Sequence, residues 1–352
     1  MTTYSVEELP LSLSALTVDS VKSFDLPEFV VPYSLKTFPG RGYVVTTDRT
    51  EKEIHLFNKK RAHLGKFGRE GRGPGEFMGA IKLHVGEDSH LYTYDSRLRR
   101  ISRFKVDSDR LGYVESYTPT QESLTWLQNI YVTEWGNFGV YKKMVEMSTG
   151  EEEFHFYKLD DEFNKLERVL TMPGNEKIPL NDDGPFVQYI DHMAGKKTLW
   201  DLDGEWFYYI SSHNPTINKY NLKTGELETT VYFKLEERKI TEQTRSQLME
   251  YSSSMASRFP TVKETMEEVR VLPLFQEFEV HDQMLYLLLF DISGSEQKQT
   301  EIIRTNEETE EAHYLNIPLH FGKIQAGDNK LYGIETIEGD FSSVKVVELR
   351  KP

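Results

Sequence analysis

Gly68-Arg69-Glu70-Gly71-Arg72-Gly73-Pro74-Gly75-Glu76-Phe77 stands between two blocks of sequence that read alike. Ahead of it run Tyr43-Val44-Val45-Thr46-Thr47-Asp48, a polar turn, and Glu53-Ile54-His55-Leu56-Phe57. Behind it run His90-Leu91-Tyr92-Thr93-Tyr94-Asp95, a polar turn, and Arg100-Ile101-Ser102-Arg103-Phe104. The order is strand, Asp at the turn, strand ending in Phe, glycine-rich passage, and then the same again. An internal repeat of about 45 residues holding several short strands is the signature of a propeller blade.

Working outward, the second strand of each repeat anchors at Tyr43, Leu91, Phe138, Phe207, Leu285 and Leu331. Three of the spacings are about 47 residues and two are longer, about 70 and 80, so six blades are expected with two insertions. The first insertion, 171–197, is rich in Pro, Gly, Asn and Asp, which is loop chemistry. The second, 241–269, carries the helical pattern, with Leu248, Met249, Met255 and Met266, and Thr261-x-x-Glu264 reads as a capping box behind Pro260. In the second repeat four strands are expected, near 80–85, 90–94, 100–104 and 113–117. The last repeat offers only three, near 322–326, 330–335 and 344–349. Residues 16–24 are expected to supply its fourth strand, because closure pairs an edge that is otherwise exposed. The chain is therefore read as one all-β, six-bladed β-propeller domain over residues 1–352, with a helical insertion between blades 4 and 5.

Composition agrees with strands. The 352 residues include 19 Tyr and 20 Phe, residues that fill a pleated, half-buried surface. No run approaches the ~20 apolar residues of a membrane-spanning helix. The net charge of −15 repels nucleic acid over the surface as a whole, so no nucleic-acid partner is expected. The basic stretch from Lys59 to Arg72, continued at Arg97, Arg99, Arg100 and Arg103, lacks the spaced aromatics of a stacking platform. There is no cysteine, which excludes disulfides and thiol catalysis. Residues 1–10 are acidic with no apolar centre, so no signal peptide is read there. The chain as given fits the cytoplasm, and the periplasm or cell surface if a leader or lipoprotein anchor has been removed.

The run KFGREGRGPGEF, followed by LYTYDSRLRRISRF, is similar to NHL-type repeats. It resembles still more the TolB-like six-bladed propellers widespread in Bacteroidetes. The likeness is best over residues 43–104; later repeats lack GPGEF. The resemblance implies the fold and often an exported or lipid-anchored life, but no defined reaction.

The glycine-rich passage is not a phosphate cradle, because Gly75 is followed by Glu76 where a P-loop needs Lys. Nor is it a dinucleotide fingerprint, because strands lie on both sides. It reads as a structural turn in which Gly71, Gly73 and Gly75 supply backbone freedom, Pro74 stiffens the reversal and Phe77 packs inward. Asp48 and Asp95 are expected to accept backbone N–H bonds within their own turns. Asn181-Asp182-Asp183-Gly184 has the look of half a calcium loop without its spacing. The ten histidines form no HExxH, and GxSxG is absent. His84 and His281 are placed on innermost strands. Trp126, Trp135, Trp200 and Trp206 are expected mostly in the core. No catalytic residue, metal or cofactor is assigned.

Long connections on a rigid scaffold are where binding resides. The expected function is a non-catalytic binding or scaffold module for a protein, peptide or glycan, at the face carrying both insertions. Phe186, Tyr189 and His192 would contribute from the loop, and Tyr251 and Arg258 from the helix. The alternative is a channel-mouth enzyme such as a metal-assisted hydrolase or lyase.

Overall fold

In the computed structural model the described residues are 3–4, 14–26, 31–38, 40–48, 50–120, 126–180, 187–231, 234–235, 237–291, 299–306, 312–327, 329–336 and 342–350. They form an all-β, six-bladed propeller with two helices. The chain divides into two compact units. One holds Met1–Leu16, Lys142–Phe154 and Thr171–Pro318; the other holds Thr17–Tyr141, His155–Leu170 and Leu319–Pro352.

The second unit contains the first, second and sixth blades. The first blade runs Pro32–Thr37, Val44–Asp48, Ile54–Phe57 and His63–Phe67, and the second Ile81–Val85, His90–Asp95, Arg100–Asp107 and Arg110–Tyr117. Each is an antiparallel sheet in chain order. Val44–Asp48 is buried throughout, whereas Arg110–Tyr117 alternates exposed and half-buried positions at its start. A strand covered on both faces reads as a continuous apolar run, and one with a wet face alternates. Phe38, Val45, Leu56, Phe77, Leu91 and Phe104 pack together across these two blades. Burial of each such side chain contributes about 1.5–3 kcal/mol.

The sixth blade is Phe321–Gly327, Lys330–Thr336 and Ser342–Leu349. Its fourth strand is Val18–Ser23, antiparallel to Ser342–Leu349 with Val21 opposite Val347 and Ser23 opposite Lys345. Glu348 accepts from Ser20 Oγ at 2.7 Å and Lys22 Nζ at 2.5 Å, and these bonds hold its carboxyl below the usual carboxylate range.

The first unit contains the fourth blade (Thr198–Asp203, Trp206–Ser211, Thr216–Asn221, Leu227–Val231) and the fifth (Phe275–His281, Met284–Leu289, Thr300–Asn306, Ala312–Ile317). Ile210, Ile217, Phe278, Leu285, Leu287 and Ile303 make the core they share. The fifth sheet has a further strand: Ser14–Leu16 runs parallel to Ala312–Ile317 and covers its edge. The third blade is divided between the units: Leu127–Thr133 lies in the second, and Gly136–Glu146, Glu151–Leu159 and Lys165–Pro173 each have residues in both.

Two expectations need correction. Residues 171–197 are not all loop, since Lys177–Pro179 and Tyr189–Asp191 pair as a short antiparallel hairpin. The capping box belongs to the other helix. Thr241 caps Glu242–Ala256 through reciprocal bonds with Thr244, whereas Pro260–Glu268 starts after Phe259 without a side-chain cap. The Thr261 hydroxyl instead donates to the Pro179 carbonyl at 2.5 Å.

Candidate functional site

Three excursions from the regular blade pattern meet in the first unit. The first is the tip of the third blade's long central hairpin, where Gly136–Glu146 turns into Glu151–Leu159. The second is the inserted hairpin. It leaves the third blade at Gly174, where a Cβ would collide with the Glu152 carbonyl, so only glycine fits this close approach. It returns through the turn His192–Gly195. The third is the helical insertion, closed at its base by Arg238 opposite Leu272 and Lys239 opposite Val271. Arg245 donates to the Glu267 carbonyl at 2.6 Å and the Val269 carbonyl at 3.0 Å, satisfying the end of the shorter helix.

The inserted hairpin and the helices share an apolar core of their own. Ile178, Ala194, Leu248, Val262, Met266 and Leu272 are buried together, with Leu180 and Ile190 packed against them. Tyr189 ties the hairpin to the third-blade tip. Its ring lies over Gly150 (φ +71°), and its hydroxyl donates to the Ser148 carbonyl. Beside this contact Val145 and Met147 are 47% and 72% exposed, and on the longer helix Tyr251 is 66% exposed.

A polar cluster underlies the hairpin. Glu152 is buried; its Oε2 is 3.0 Å from Lys177 Nζ and 3.4 Å from Lys142 Nζ, and its Oε1 accepts from the Asn175 N–H at 3.2 Å. Lys177 also pairs with Asp191, its cross-strand neighbour. Burial opposes the charge on Lys177, but its bonds to Asp191 and Glu152 outweigh this and raise its pKa. Lys197 follows the opposite course. Burial lowers its pKa; Asp191 opposes this, and Lys177 adds to it.

His213 links the fourth blade to both insertions. Burial lowers its pKa, while Glu176 and the backbone carbonyls of Val271 and Ala194 draw it back up. Its Nδ1 lies 3.1 Å from Ser212 Oγ, which accepts the Lys197 N–H at 3.0 Å. His192 Nδ1 accepts the Ala194 N–H at 3.1 Å, and burial lowers its pKa too. The His192 imidazole thus uses Nδ1 as an acceptor.

Of the expected site residues, Tyr189 and His192 lie on the inserted hairpin, committed to the contacts just given. Tyr251 and Arg258 are exposed on the helical insertion. Among the described residues no hydrogen bond or ion pair joins these two to Tyr189 or His192. Phe186 and the segment Asn181-Asp182-Asp183-Gly184 lie outside the described residues. Sequence reasoning passed over Glu152, Lys177, Lys197 and His213, which are far apart in the chain and carry no motif.

The remaining candidates have structural partners. In the glycine-rich turn Gly75 is left-handed (φ +71°) and Gly73 is not. Glu76 accepts from the Gly73 N–H at 2.7 Å and Arg69 Nε at 2.8 Å, and a Cβ on Gly68 would meet the buried Phe77 ring. Gly71 donates to the Phe77 carbonyl at 3.0 Å. Asp48 accepts from the backbone N–H groups of Val31, Thr50 and Glu51, and Asp95 from those of Met78, Gly79, Arg97 and Leu98. Each carboxylate therefore holds its own turn and the entry to its blade. Ser212 has the corresponding task at the fourth blade, taking the N–H of Lys197 just before Thr198–Asp203. His84 Nε2 accepts the Val132 N–H at 3.0 Å, and burial lowers its pKa to about 3. Trp200 packs on Phe154 and Trp206 under Lys219, but Trp126 is 54% exposed and is no core residue. In the basic stretch Lys66 pairs with Glu53 and Arg100 donates to the Arg72 and Glu76 carbonyls. Among the described residues no three His, Asp or Glu side chains are grouped to hold a metal ion, and no helix is long and apolar enough to cross a membrane.

The comparisons agree on architecture. Residues 28–326 match the family described as DUF5128, 6-bladed beta-propeller, and the chain belongs to that family. A search of curated proteins found no match. Among solved structures, a protein described as exported from Bacteroides fragilis is similar at 11% identity and a TM-score of 0.58, covering 99% of each chain. Virginiamycin B lyase from Staphylococcus aureus is similar at 12% identity and a TM-score of 0.41, covering 94% of this chain and 99% of that one. Regucalcin, a calcium-binding protein from Agrobacterium tumefaciens, is similar at 10% identity and 0.46, covering 100% and 97%. Identities this low speak to fold alone.

Proposed function

We propose that this protein is a non-catalytic binding module for a protein, peptide or glycan, and that its recognition surface is the platform built from the two insertions and the third-blade tip. The observation that carries this reading is the separate apolar core of Ile178, Leu248, Val262, Met266 and Leu272. Two excursions that serve no blade are held rigid by packing on each other, and rigid presentation lowers the entropic cost of binding. Exposed Val145, Met147 and Tyr251 supply the apolar and aromatic anchors that interfaces favour. The glycine-rich passage supports a TolB-like or NHL-type ancestry for the blades, and with it an exported or envelope-associated setting.

The test compares the full chain with a triple variant, Val145→Ser, Met147→Ser, Tyr251→Ser, in capture from extracts of the source cells and on a glycan array. Circular dichroism and thermal melting should match between the two. Loss of the captured ligand in the variant supports the assignment. Full retention of every ligand would place recognition elsewhere.

A further inference from the structure

An open cavity of about 230 Å³ lies where the outer strand of the first blade, His63–Phe67, meets the turn that opens the outer strand of the second, Arg110–Tyr117. Leu56, Leu64, Phe67 and Leu111 make its apolar wall, and Lys66, Asp109 and Arg110 bring charge to it. Two features of the first blade leave this space open. The pairing of Ile54–Phe57 with His63–Phe67 passes from Leu56 opposite Gly65 to Phe57 opposite His63, so Leu64 is an extra residue in a β-bulge. Gly65, which also lines the cavity, has nothing within 4 Å of where its Cβ would stand. A glycine at a strand bulge marks a place where another group can approach closely.

The side contributed by the second blade is held in place. Ser108 and Asp109 take φ +47° and +63°, the two left-handed residues of a tight hairpin turn between Arg100–Asp107 and Arg110–Tyr117. The Tyr43 hydroxyl donates to Asp109 Oδ1 at 2.6 Å and ties this turn to the first blade. Lys66 is paired with Glu53 at 2.7 Å. Arg110 is exposed, and among the described residues its guanidinium has no hydrogen-bond or ion-pair partner. Asp109 is exposed too, and among the described residues its Oδ2 has no partner. Both groups reach water, so the fold does not need them filled. They place an uncommitted cation and an uncommitted anion at one apolar cavity.

Size and charge together select the occupant. At ~30 Å³ for each water-sized group the volume holds roughly seven or eight, and it falls short of the ~300 Å³ at which drug-sized pockets begin. A plain carboxylate would face Asp109 as well as Arg110, and a plain amine would face Arg110 and Lys66. A zwitterion answers both signs. We propose that this cavity binds a small aliphatic α-amino acid. Its carboxylate pairs with Arg110, whose fork suits two carboxylate oxygens, its ammonium pairs with Asp109 Oδ2, and its branched side chain lies against Leu56, Leu64, Phe67 and Leu111. The cavity shares no residue with the platform of the two insertions, so this second site goes beyond the binding-module reading and does not depend on it.

The probes are L-leucine, isocaproate, which lacks the amine, and isoamylamine, which lacks the carboxylate. Each is titrated into the full chain with its leucine methyl groups labelled for NMR. Leucine should shift the Leu64 and Leu111 signals saturably, and the other two should bind about tenfold or more weakly, as the loss of one charge-assisted bond requires. Arg110→Gln and Asp109→Asn should each weaken leucine by a similar factor with thermal melting unchanged. Both are surface changes, and Asn tolerates the left-handed backbone at position 109 and can still accept from Tyr43. Leu64 and Leu111 signals that stay still under all three probes overturn the proposal. Equal binding of leucine and isocaproate, or leucine binding untouched by Arg110→Gln, overturns it as well.

Discussion

The passage from the first blade to the second and the passages on either side of the fourth do the same job by different means. Between Phe67 and Ile81 the chain crosses residues 68–80 through local bonds and one anchor, Phe77, set into the core of the blades it joins. Around the fourth blade the connections instead build a hairpin and two helices with a core of their own. A connection that borrows the blade core shares its stability. One that carries its own core can open as a unit without the blades while its own packing keeps it rigid inside.

The largest test of this contrast is Phe77→Ala. Removing a fully buried ring should cost about 3–5 kcal/mol and appear as a lower midpoint in denaturant for the second unit as a whole. Met266→Ala removes an equally buried side chain from the insertion core, at about 3 kcal/mol. Its effect should appear as faster hydrogen exchange in 171–197 and 241–269, with the strands of the first and second blades unchanged. If Met266→Ala lowers protection in every blade, the insertions are not separable.

Gly75→Ala sharpens the local half of the comparison. At φ +71°, with the Phe67 ring 2.9 Å from the added Cβ, it should cost about 1–2 kcal/mol, measured by chemical denaturation. A neutral result would mean that the turn relaxes freely. The smallest effect is that of acid. His192 and His213 have pKa values below the ordinary imidazole value of 6.5. Each therefore contributes stability that is full above that value and is lost as pH falls through the folded-state pKa. His84 lies lower, at about 3. On going from about pH 7 to about pH 5, the Ala194 N–H, bonded to His192, should begin to exchange before the Val132 N–H, bonded to His84. The reverse order would contradict the assignment.

The first two blade anchors were legible because strand pairs, turn Asp and glycine passage are all local signals, and the later four followed from spacing and strand pattern. Asp48 and Asp95 could be read from their own turns, but their second role, holding Val31 and the Met78–Gly79 amides, depends on the folded sheet. The inserted hairpin was hidden because its strands are only three residues long and one ends in Pro179, so no alternation could develop. The Thr241 cap escaped notice because its partner is Thr244, not the Glu or Gln of a capping box, while Thr261 met that pattern and spent its hydroxyl on Pro179. The Glu152, Lys177, Lys197 and His213 cluster is assembled by the meeting of a blade tip, a hairpin and a strand end, and no window of sequence contains it.

The pairing of Val18–Ser23 with Ser342–Leu349 has a consequence for the chain as it is made. The hydrogen bond from Ser20 to Glu348 spans 328 positions. Synthesis must run past Leu349, and that segment must leave the ribosome, before the sixth sheet can take up its fourth strand. Until then Val18–Ser23 waits with an unpaired edge, a template for other strands and a natural substrate for holding chaperones. Closing so long a loop comes late and slowly, because its entropy must be lost before the ladder returns any energy. A late step of folding therefore secures a segment made 328 positions before its partner.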